Sequence, residues 1–338
     1  MLEIDGSFGE GGGQILRTSV SLSAVTGEPV RITNIRARRP NPGLAPSHLT
    51  SIEAVAELCD AEVDGLYPGS KELTFKPRQL TGGDFEFDVG TAGSVSLVLT
   101  SCILPAVLSK ARVTLNVKGG TDVRWSPPID FLSSVHIPLL GRFGASCSIE
   151  TQSRGFYPEG GGEVTVDIAP SGGLTGLRLV EQGRVLGING IAYAQNLPEH
   201  IVSRMKHSAI KKLIDIENVK IEGDLRKGPS TGAGIVLAAQ CEHTVIGATR
   251  LGAKGVRAEE LGENAASDLI ETIGSGATVD EHMLDQILPY MAVAHGGSSI
   301  LTDDLTEHAK TNMWVIEKYF PGKFNVSKRG ELAEIIAI

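Results

Sequence analysis

Strand-like and helix-like patterns of apolar and polar residues alternate along the chain. Alternation with a period of two predicts strands, most clearly over residues 30–32, 73–75, 85–89, 112–117 and 164–168. A helix is predicted to begin at Pro46-Ser47, because apolar residues then recur at helical spacing: Leu49, Ile52, Ala56 and Cys59. Further helices are predicted after Ser94 and from Pro128 towards Leu140. Strand-and-helix units that recur roughly every 70 to 80 residues predict an α+β fold of several similar modules.

The pattern changes near residue 183. From there it predicts a strand over 185–188, a helix over about 199–214, three strands at 219–221, 234–237 and 244–246, and a helix over 257–273. Glycines end this block at 274–276, and the block could bury a small core of its own. The sequence therefore predicts a large domain in two parts, 1–183 and 277–338, with a smaller α/β domain inserted at 184–276.

Two glycine clusters share a flanking carboxylate. They are residues 9–14 (GEGGGQ) and residues 158–163 (PEGGGE). Consecutive glycines allow positive φ and a close approach of the backbone to another group, at an entropic cost. Two copies about 150 residues apart indicate an internally duplicated scaffold, in which one copy can carry chemistry while the other packs.

Composition is that of an ordinary globular chain, with 338 residues, 41% hydrophobic and 21% charged. We expect no membrane span, because no apolar run approaches about 20 residues. The acidic, strand-like residues 1–5 predict no secretory signal. Cys59, Cys102, Cys147 and Cys241 form no C-x-x-C pair, which argues against structural zinc and a disulfide framework and predicts a reducing cytoplasm.

The charge and the loop patterns indicate which modes of nucleic-acid and phosphate binding are open to this protein. The net charge of −9 argues against a protein that coats nucleic acid nonspecifically, but allows one small cationic pocket. Arg36, Arg38 and Arg39 cluster before the loop residues 40–43 (PNPG) and are candidates for such a pocket. No P-loop pattern is present, and the glycine-rich residues 228–234 lie between two predicted strands, where a hairpin turn is expected.

Residues 154–162 (RGFYPEGGG) resemble the signature of the RNA 3'-terminal phosphate cyclases. The resemblance extends from Gly9 to Asn312 and so covers nearly the whole chain. It implies a large domain of three repeated α+β units with the smaller domain inserted in the third.

His308 lies at the edge of an apolar helical stripe formed by Leu305, Ala309, Asn312, Met313, Ile316 and Phe320. From the residues alone, a hydrogen-bonded structural histidine is favoured. However, residues 308–312 (HAKTN) match the H-x-x-T-N motif of the cyclases, whose histidine is the nucleophile. The resemblance therefore implies that His308 attacks the α-phosphorus of ATP; a neutral imidazole, with a pKa near 6.5, is available for this.

The resemblance places ATP against a short run before a helix, here His282, Met283, Leu284, Asp285 and Gln286. The alternative is an ordinary amphipathic helix start, with Met283 and Leu284 in the core. Residues 90–99 (GTAGSVSLVL) match a family run that ends in a nucleotide-binding glutamine. Thr100 stands at that position and offers a shorter hydroxyl.

Glu10 is the candidate metal ligand, because a carboxylate beside a glycine turn can reach Mg²⁺ or Mn²⁺ on ATP phosphates. The alternative is a surface glutamate at a turn. Glu159, its counterpart in the second cluster, is expected to be structural.

The resemblance assigns further residues to phosphate and RNA recognition. Arg17 and Arg39 are implied in catalysis and Gln14 in ATP binding; guanidinium groups suit bidentate phosphate recognition. RNA contacts are implied for the remaining candidates, Arg36, His48 and Trp125. Arg38 is interpreted as a solvated neighbour, and Ser47 stands where the family usually has glutamine. Trp125 follows a family run with Asp122 and is either a base-stacking residue or a core anchor.

The resemblance thus implies ATP-dependent conversion of an RNA 3'-terminal phosphate to a 2',3'-cyclic phosphate, a ligase-type nucleotidyl transfer through histidine-AMP and RNA-adenylate intermediates. ATP and a divalent metal, Mg²⁺ or Mn²⁺, are the expected cofactors, and RNA 3'-phosphate ends the partners. The main alternative is a non-catalytic ribosome-assembly relative of the same fold, which would lack the histidine. An enolpyruvyl transferase, of related repeated architecture, would lack the inserted domain.

Overall fold

The computed structural model describes residues 1–338. The helices are α1 (Gly13–Thr26), α2 (Pro46–Leu58), α3 (Val95–Val107), α4 (Ile129–Phe131), α5 (Ile137–Arg142), α6 (Glu199–Lys212), α7 (Ala258–Ser275), α8 (Glu281–Val293) and α9 (Glu307–Tyr319). A π-helical turn, Leu132–His136, joins α4 to α5. No helix is both long and apolar enough to cross a bilayer.

Sixteen strands complete the fold. They are β1 (Leu2–Asp5), β2 (Val30–Thr33), β3 (Glu62–Asp64), β4 (Leu73–Lys76), β5 (Gly83–Asp88), β6 (Val113–Gly119), β7 (Ser146–Ser153), β8 (Gly162–Ala169), β9 (Arg178–Leu179), β10 (Val185–Gln195), β11 (Val219–Arg226), β12 (Gly232–Cys241), β13 (Val245–Leu251), β14 (Ser298–Thr302), β15 (Phe324–Arg329) and β16 (Leu332–Ala337). The mixed α+β class predicted from the sequence is confirmed.

Three of the four sheets repeat one topology. Their strand orders are β1-β2-β4-β3, β5-β6-β8-β7 and β9-β14-β16-β15. In each, the first two strands are parallel and the other two neighbouring pairs are antiparallel. The fourth sheet, β11-β10-β12-β13, lies in the chain between β9 and β14.

This fourth sheet has a small core of its own, but it is also fused to the larger one. Its 20 core residues all lie between Ile188 and Leu269, under α6 and α7. Tyr193, Val236 and Ala238, from β10 and β12, instead belong to the 63-residue core of the rest of the molecule. One face of the sheet therefore packs on its own helices and the other face on the large core.

Two predictions for this segment need correction. β10 runs to Gln195, well past the predicted 185–188. The glycine-rich residues after β11 do not form a hairpin, because β10 lies between β11 and β12 in the sheet. The pattern identified both strands, but strand order depends on pairing between distant segments.

Helix termini converge at one place beside the large core. α1 packs against α2, α3 and α9, and α8 packs against α9. Asp280 caps α8 by accepting from the backbone N–H groups of His282 and Met283. The Thr306 hydroxyl accepts from Ala309 N–H and caps α9, which places His308 on the first turn of that helix.

Candidate active site

A cavity of about 780 Å³ is lined by residues of the first glycine cluster, the arginine loop, the beginnings of α2, α8 and α9, and β13. It brings together most of the predicted site residues: Glu10, Gln14, Arg17, Arg36, Arg39, His48, Trp125, His282, Asp285, Gln286 and His308. Thr249, Leu97 and Pro127 also line it, and sequence reasoning did not identify them.

The imidazole of His308 is held from both sides. Its Nε2 lies 3.0 Å from Glu10 Oε2, and its Nδ1 lies 3.2 Å from Gln14 Oε1. Gln14 Nε2 donates to Asp285 Oδ2 at 2.9 Å, which turns Gln14 Oε1 towards the imidazole. Nδ1–H therefore donates to Gln14, and Nε2 is the nitrogen that faces the carboxylate and the cavity.

Glycines 9 and 13 permit this close assembly. Gly9 has a φ of +54°, and a Cβ there would overlap Thr311 Oγ1. A Cβ on Gly13 would overlap His48 Nε2 and lie 3.0 Å from an Arg17 nitrogen. The first cluster therefore lets α9 and α2 approach α1 where no other residue type would fit.

Asn312 ties the three helices around His308 together. Thr18 Oγ1 donates to Asn312 Oδ1 at 2.7 Å, and Asn312 Nδ2 donates to the carbonyl of Asp285 at 2.6 Å. The sequence placed Asn312 in a motif and in the helical stripe but predicted no partner for it. Its bonds to α1 and α8 show that Asn312 orients the helix that carries His308, and Thr311 packs closely against Gly9.

Three arginine side chains, with His48 beside them, form the cationic part of the cavity. Burial lowers the pKa of Arg17 to about 10, with Asp285 opposing the shift, so Arg17 stays charged at neutral pH. Arg39 Nη2 lies 3.6 Å from Glu10 Oε2. Arg36 donates through Nη1 to the carbonyls of residues 41 and 43, which fixes its loop and leaves the rest of its guanidinium at the cavity.

His48 is a neutral member of this group. Burial, followed by the charges of Arg17 and Arg36, lowers its pKa to about 3. Its Nδ1 accepts from Ala45 N–H at 3.1 Å, so the proton of the neutral ring is on Nε2. His48 thus offers a hydrogen-bond donor at neutral pH without adding a fourth cation to the three arginines.

The pKa of Asp285 is shifted upwards, whereas that of His48 is shifted downwards. Burial raises its pKa from 3.8 to about 6, although the charge of His308 and the hydrogen bond from Gln14 oppose the shift. It remains ionised at neutral pH and accepts from Gln14.

The run at residues 282–286 lies inside α8 rather than before a helix, which corrects that expectation. His282, Asp285 and Gln286 share the helix face that lines the cavity. Met283 and Leu284 are fully buried in the core, so their side chains are not brought to the cavity. The amphipathic helix start is the correct interpretation for these two residues.

Thr100 is also separated from the main cavity. It lines a small adjoining cavity of about 30 Å³, and its hydroxyl donates to the carbonyl of Leu97 at 3.2 Å. A glutamine would extend further from this position, whereas threonine bonds to its own helix.

Trp125 is not a core anchor. Its side chain is 96% exposed, its φ is +67°, and it lines the cavity. The core-anchor interpretation is wrong, and the indole is free to stack on a ligand.

Glu10 fits the chemistry of a metal ligand only as a single carboxylate. No group of three or more His, Cys, Asp or Glu side chains is arranged to hold a metal ion. Mg²⁺ is commonly bound by one or two carboxylates together with substrate phosphates and water, and Glu10 opens into the cavity with 34% of its side chain exposed. The residues present therefore fit a metal that is bound together with a phosphorylated substrate.

Comparison with known proteins identifies the family of the chain. Residues 8–326 match the family described as RNA 3'-terminal phosphate cyclase. A protein of that name from Ignicoccus hospitalis is 48% identical, with 98% of this chain and 96% of the relative covered. The protein of that name from Nitrosospira multiformis is 44% identical, with 100% of this chain and 96% of the relative covered. The one from Methanopyrus kandleri is also 44% identical, with 99% of this chain and 98% of the relative covered. The chain therefore belongs to the RNA 3'-terminal phosphate cyclase family.

Proposed function

We propose that this protein converts the 3'-terminal phosphate of RNA to a 2',3'-cyclic phosphate at the expense of ATP. The observation that carries the proposal is the exposed imidazole of His308, held between Glu10 and Gln14 in a cavity lined by arginines. Family membership over nearly the whole chain supports the same activity.

In the first step, His308 Nε2 attacks the α-phosphorus of ATP and pyrophosphate leaves. Gln14 keeps the proton on Nδ1, so the lone pair that attacks is on Nε2. When the ring is an imidazolium, Glu10 lies 3.0 Å from Nε2 and accepts its proton before the attack. Arg17 and Arg39 balance the charge that develops on the phosphates.

A divalent ion, Mg²⁺ or Mn²⁺, would neutralise phosphate charge and polarise the α-phosphoryl group when bound. Glu10 would hold it, because its carboxylate is the one that opens beside His308. It would do so after passing the Nε2 proton on to water, because only the ionised carboxylate is a ligand for a cation.

In the second step, an oxygen of the RNA 3'-phosphate attacks the histidine-bound AMP and releases His308. In the third, the adjacent 2'-hydroxyl attacks the terminal phosphorus, AMP leaves, and the ring closes with loss of the hydroxyl proton. We assign Arg36 and the Nε2–H of His48 to hold the RNA phosphate, and Trp125 to stack on a base. His282, Asp285 and Gln286 line the nucleotide side of the cavity in this scheme.

The non-catalytic ribosome-assembly alternative is not favoured, since the chain has His308 in an open cavity. The domain division at 1–183, 184–276 and 277–338 is part of the same proposal. It is supported by the three sheets of one topology and by the fourth sheet between β9 and β14.

Incubation with α-³²P-labelled ATP and Mg²⁺ or Mn²⁺ tests the proposal. We expect mass spectrometry to find one added AMP on His308, and transfer of the label on addition of RNA with a 3'-phosphate. RNA should then carry a cyclic end, whereas a DNA 3'-phosphate should not cyclise. A protein that retains no label under any metal would contradict the proposal.

A further inference from the structure

A buried four-residue segment connects α7 to α8 and is hydrogen-bonded to the fourth sheet. Residues 277–280 are all nearly inaccessible, at 0 to 3% exposure. Two bonds join this segment to β13 and its start: Thr244 Oγ1 donates to the carbonyl of Thr278 at 2.6 Å, and Gly247 N–H donates to Asp280 Oδ2 at 3.0 Å. β13 is therefore fixed in register against the residues that lead into α8.

Asp280 divides its two oxygens between two elements. Oδ1 accepts from His282 N–H at 3.1 Å and from Met283 N–H at 2.8 Å, which caps α8. Oδ2 accepts from Gly247 in β13. One side chain thus joins the helix that carries His282 and Gln286 to the strand that carries Thr249.

Gly247 is packed so closely that no side chain would fit between β13 and the residues around it. A Cβ on Gly247 would lie 2.5 Å from a ring carbon of Phe131 and 2.7 Å from Val135. Phe131 in turn contacts His282 edge-on, with ring centroids 6.5 Å apart. The spacing between β13 and the first turn of α8 is therefore determined by Asp280 together with this close contact.

The two elements line the same cavity. The cavity lining contains arginines suited to phosphates, three carboxylates (Glu10, Glu281 and Asp285), and an uncharged set that includes Leu97, Pro127, Thr249 and Gln286. His308 marks the α-phosphorus in the proposed reaction, so the uncharged set is left for the nucleoside. Asp280 itself does not line the cavity.

We propose that Asp280 is a positioning residue for nucleotide binding, which sets the width of the nucleoside wall by holding Thr249 on β13 against His282 and Gln286 on α8. This inference rests on the proposed function. It predicts that loss of the bond to Gly247 weakens ATP binding without slowing the chemistry at His308.

Two substitutions separate this bond from the helix cap. In Asp280→Asn one oxygen still caps α8, but the amide meets Gly247 N–H, donor against donor. In Asp280→Ser the hydroxyl can cap α8, and Gly247 loses its acceptor. We expect both variants to raise the KM for ATP in self-adenylylation by about tenfold, with kcat within about twofold of wild type.

Asp224→Asn is the matched control. Asp224 lies on β11 and accepts from Arg154, so it also joins the fourth sheet to the rest of the protein, but it does not line the cavity. It should lower the melting temperature and leave the KM for ATP unchanged. A wild-type KM in both Asp280 variants, or an equal rise in Asp224→Asn, would overturn the positioning role.

Hydrogen exchange tests the same inference in the unmodified protein. A non-hydrolysable ATP analogue that bridges β13 and α8 should slow exchange of the Gly247 amide by about tenfold or more. Unchanged exchange at saturating analogue would count against the inference. Wild-type protein that takes up no AMP would instead refute the proposed function, so the two failures are distinguishable.

Discussion

The two glycine clusters have nearly the same sequence and opposite surroundings. In the first, Glu10 lies in the cavity against His308 and Arg39. In the second, Glu159 is exposed and outside the cavity, and Gly161 faces Pro229 in the connection between β11 and β12. One cluster forms part of the candidate active site, and the other forms part of a junction between sheets.

Both clusters use glycine for close approach, and the difference lies in what approaches. At Gly9 and Gly13 the neighbours are the side chains of Thr311 and His48. At Gly160 and Gly161 the neighbours are the backbone of residues 91–92 and the ring of Pro229, none of which carries a reactive group. Chemistry therefore follows from the partner element rather than from the glycine run.

The junction around the second cluster is held by a buried ion group. Arg154 is 1% exposed and contacts three carboxylates, Asp122, Asp130 and Asp224, at 3.3, 2.7 and 3.0 Å. Its Cζ lies 3.9 Å from the ring centroid of Tyr193. The negative partners raise the pKa of Arg154 against the effect of burial, so it stays charged. The family signature at residues 154–162 is thus largely a structural joint.

Removing the nucleophile gives the largest expected contrast. His308→Ala should abolish self-adenylylation and cyclisation, because no covalent route to AMP transfer remains. The free energy of unfolding should fall by about 1 kcal/mol or less, since the imidazole is half exposed. RNA that already carries an adenylylated 3'-phosphate should still cyclise slowly, because that step needs positioning of the 2'-hydroxyl and not a protein nucleophile.

His207→Ala, at another exposed histidine on a helix, is the control and should keep full activity. A stable AMP adduct on His308→Ala would contradict the assignment and point to Lys310 as the nucleophile.

Matched substitutions of the two glutamates compare the clusters directly. Glu10→Gln should lower the adenylylation rate by about 100-fold or more, because the amide can neither accept the Nε2 proton nor serve as an anionic metal ligand. Glu159→Gln should leave the rate unchanged. The rates are measured over a range of Mg²⁺ and Mn²⁺ concentrations; if Glu10 is a metal ligand, the loss is greatest at limiting metal. An equal loss in both variants would remove the functional distinction.

Alanine at one glycine of each cluster should separate activity from stability. Gly13→Ala pushes a methyl into His48 and Arg17, and we expect an activity loss of about tenfold or more. Gly161→Ala strains a residue with a φ of +77° and should cost about 1 to 3 kcal/mol of stability with normal kinetics at permissive temperature. Urea unfolding and adenylylation kinetics on both variants check this. A kinetic defect confined to Gly161→Ala would reverse the assignment.

The smallest effect concerns stability against pH. Asp285 has a folded-state pKa of about 6, above its usual 3.8, so the native protein binds more protons between these values and stability falls as pH rises through that window. His48 acts oppositely, since its folded-state pKa of about 3 makes stability rise between about pH 3 and 6.5. Between pH 4 and pH 6, the free energy of unfolding of Asp285→Asn should therefore rise by about 1 to 2 kcal/mol more than that of the wild type. Urea unfolding at pH 4 and at pH 6 measures this difference. The control variant Glu159→Gln should show the same pH dependence of stability as the wild type.

Periodicity predicted most elements of the fold. The strands at 30–32, 73–75 and 164–168 and the helix from Pro46 were found close to their observed bounds. The same signal did not give the strand order in the fourth sheet, and the sequence left both alternatives for Trp125 open until its 96% exposure excluded the core anchor. Period-two and helical patterns identify which face of a segment is buried, but they do not specify what covers it.

For the candidate site, the sequence by itself supplied the residue types and the motif that contains His308, whereas the structure showed that residues 282–286 lie within α8. Only the tertiary structure decided that the first glycine cluster, and not the second, meets His308. That contact joins residues 294 positions apart, Gln14 and His308, through helices α1 and α9. Local sequence encodes backbone freedom and side-chain chemistry within a few residues, whereas such a distant contact exists only because the packing of several helices makes it the lowest-energy arrangement.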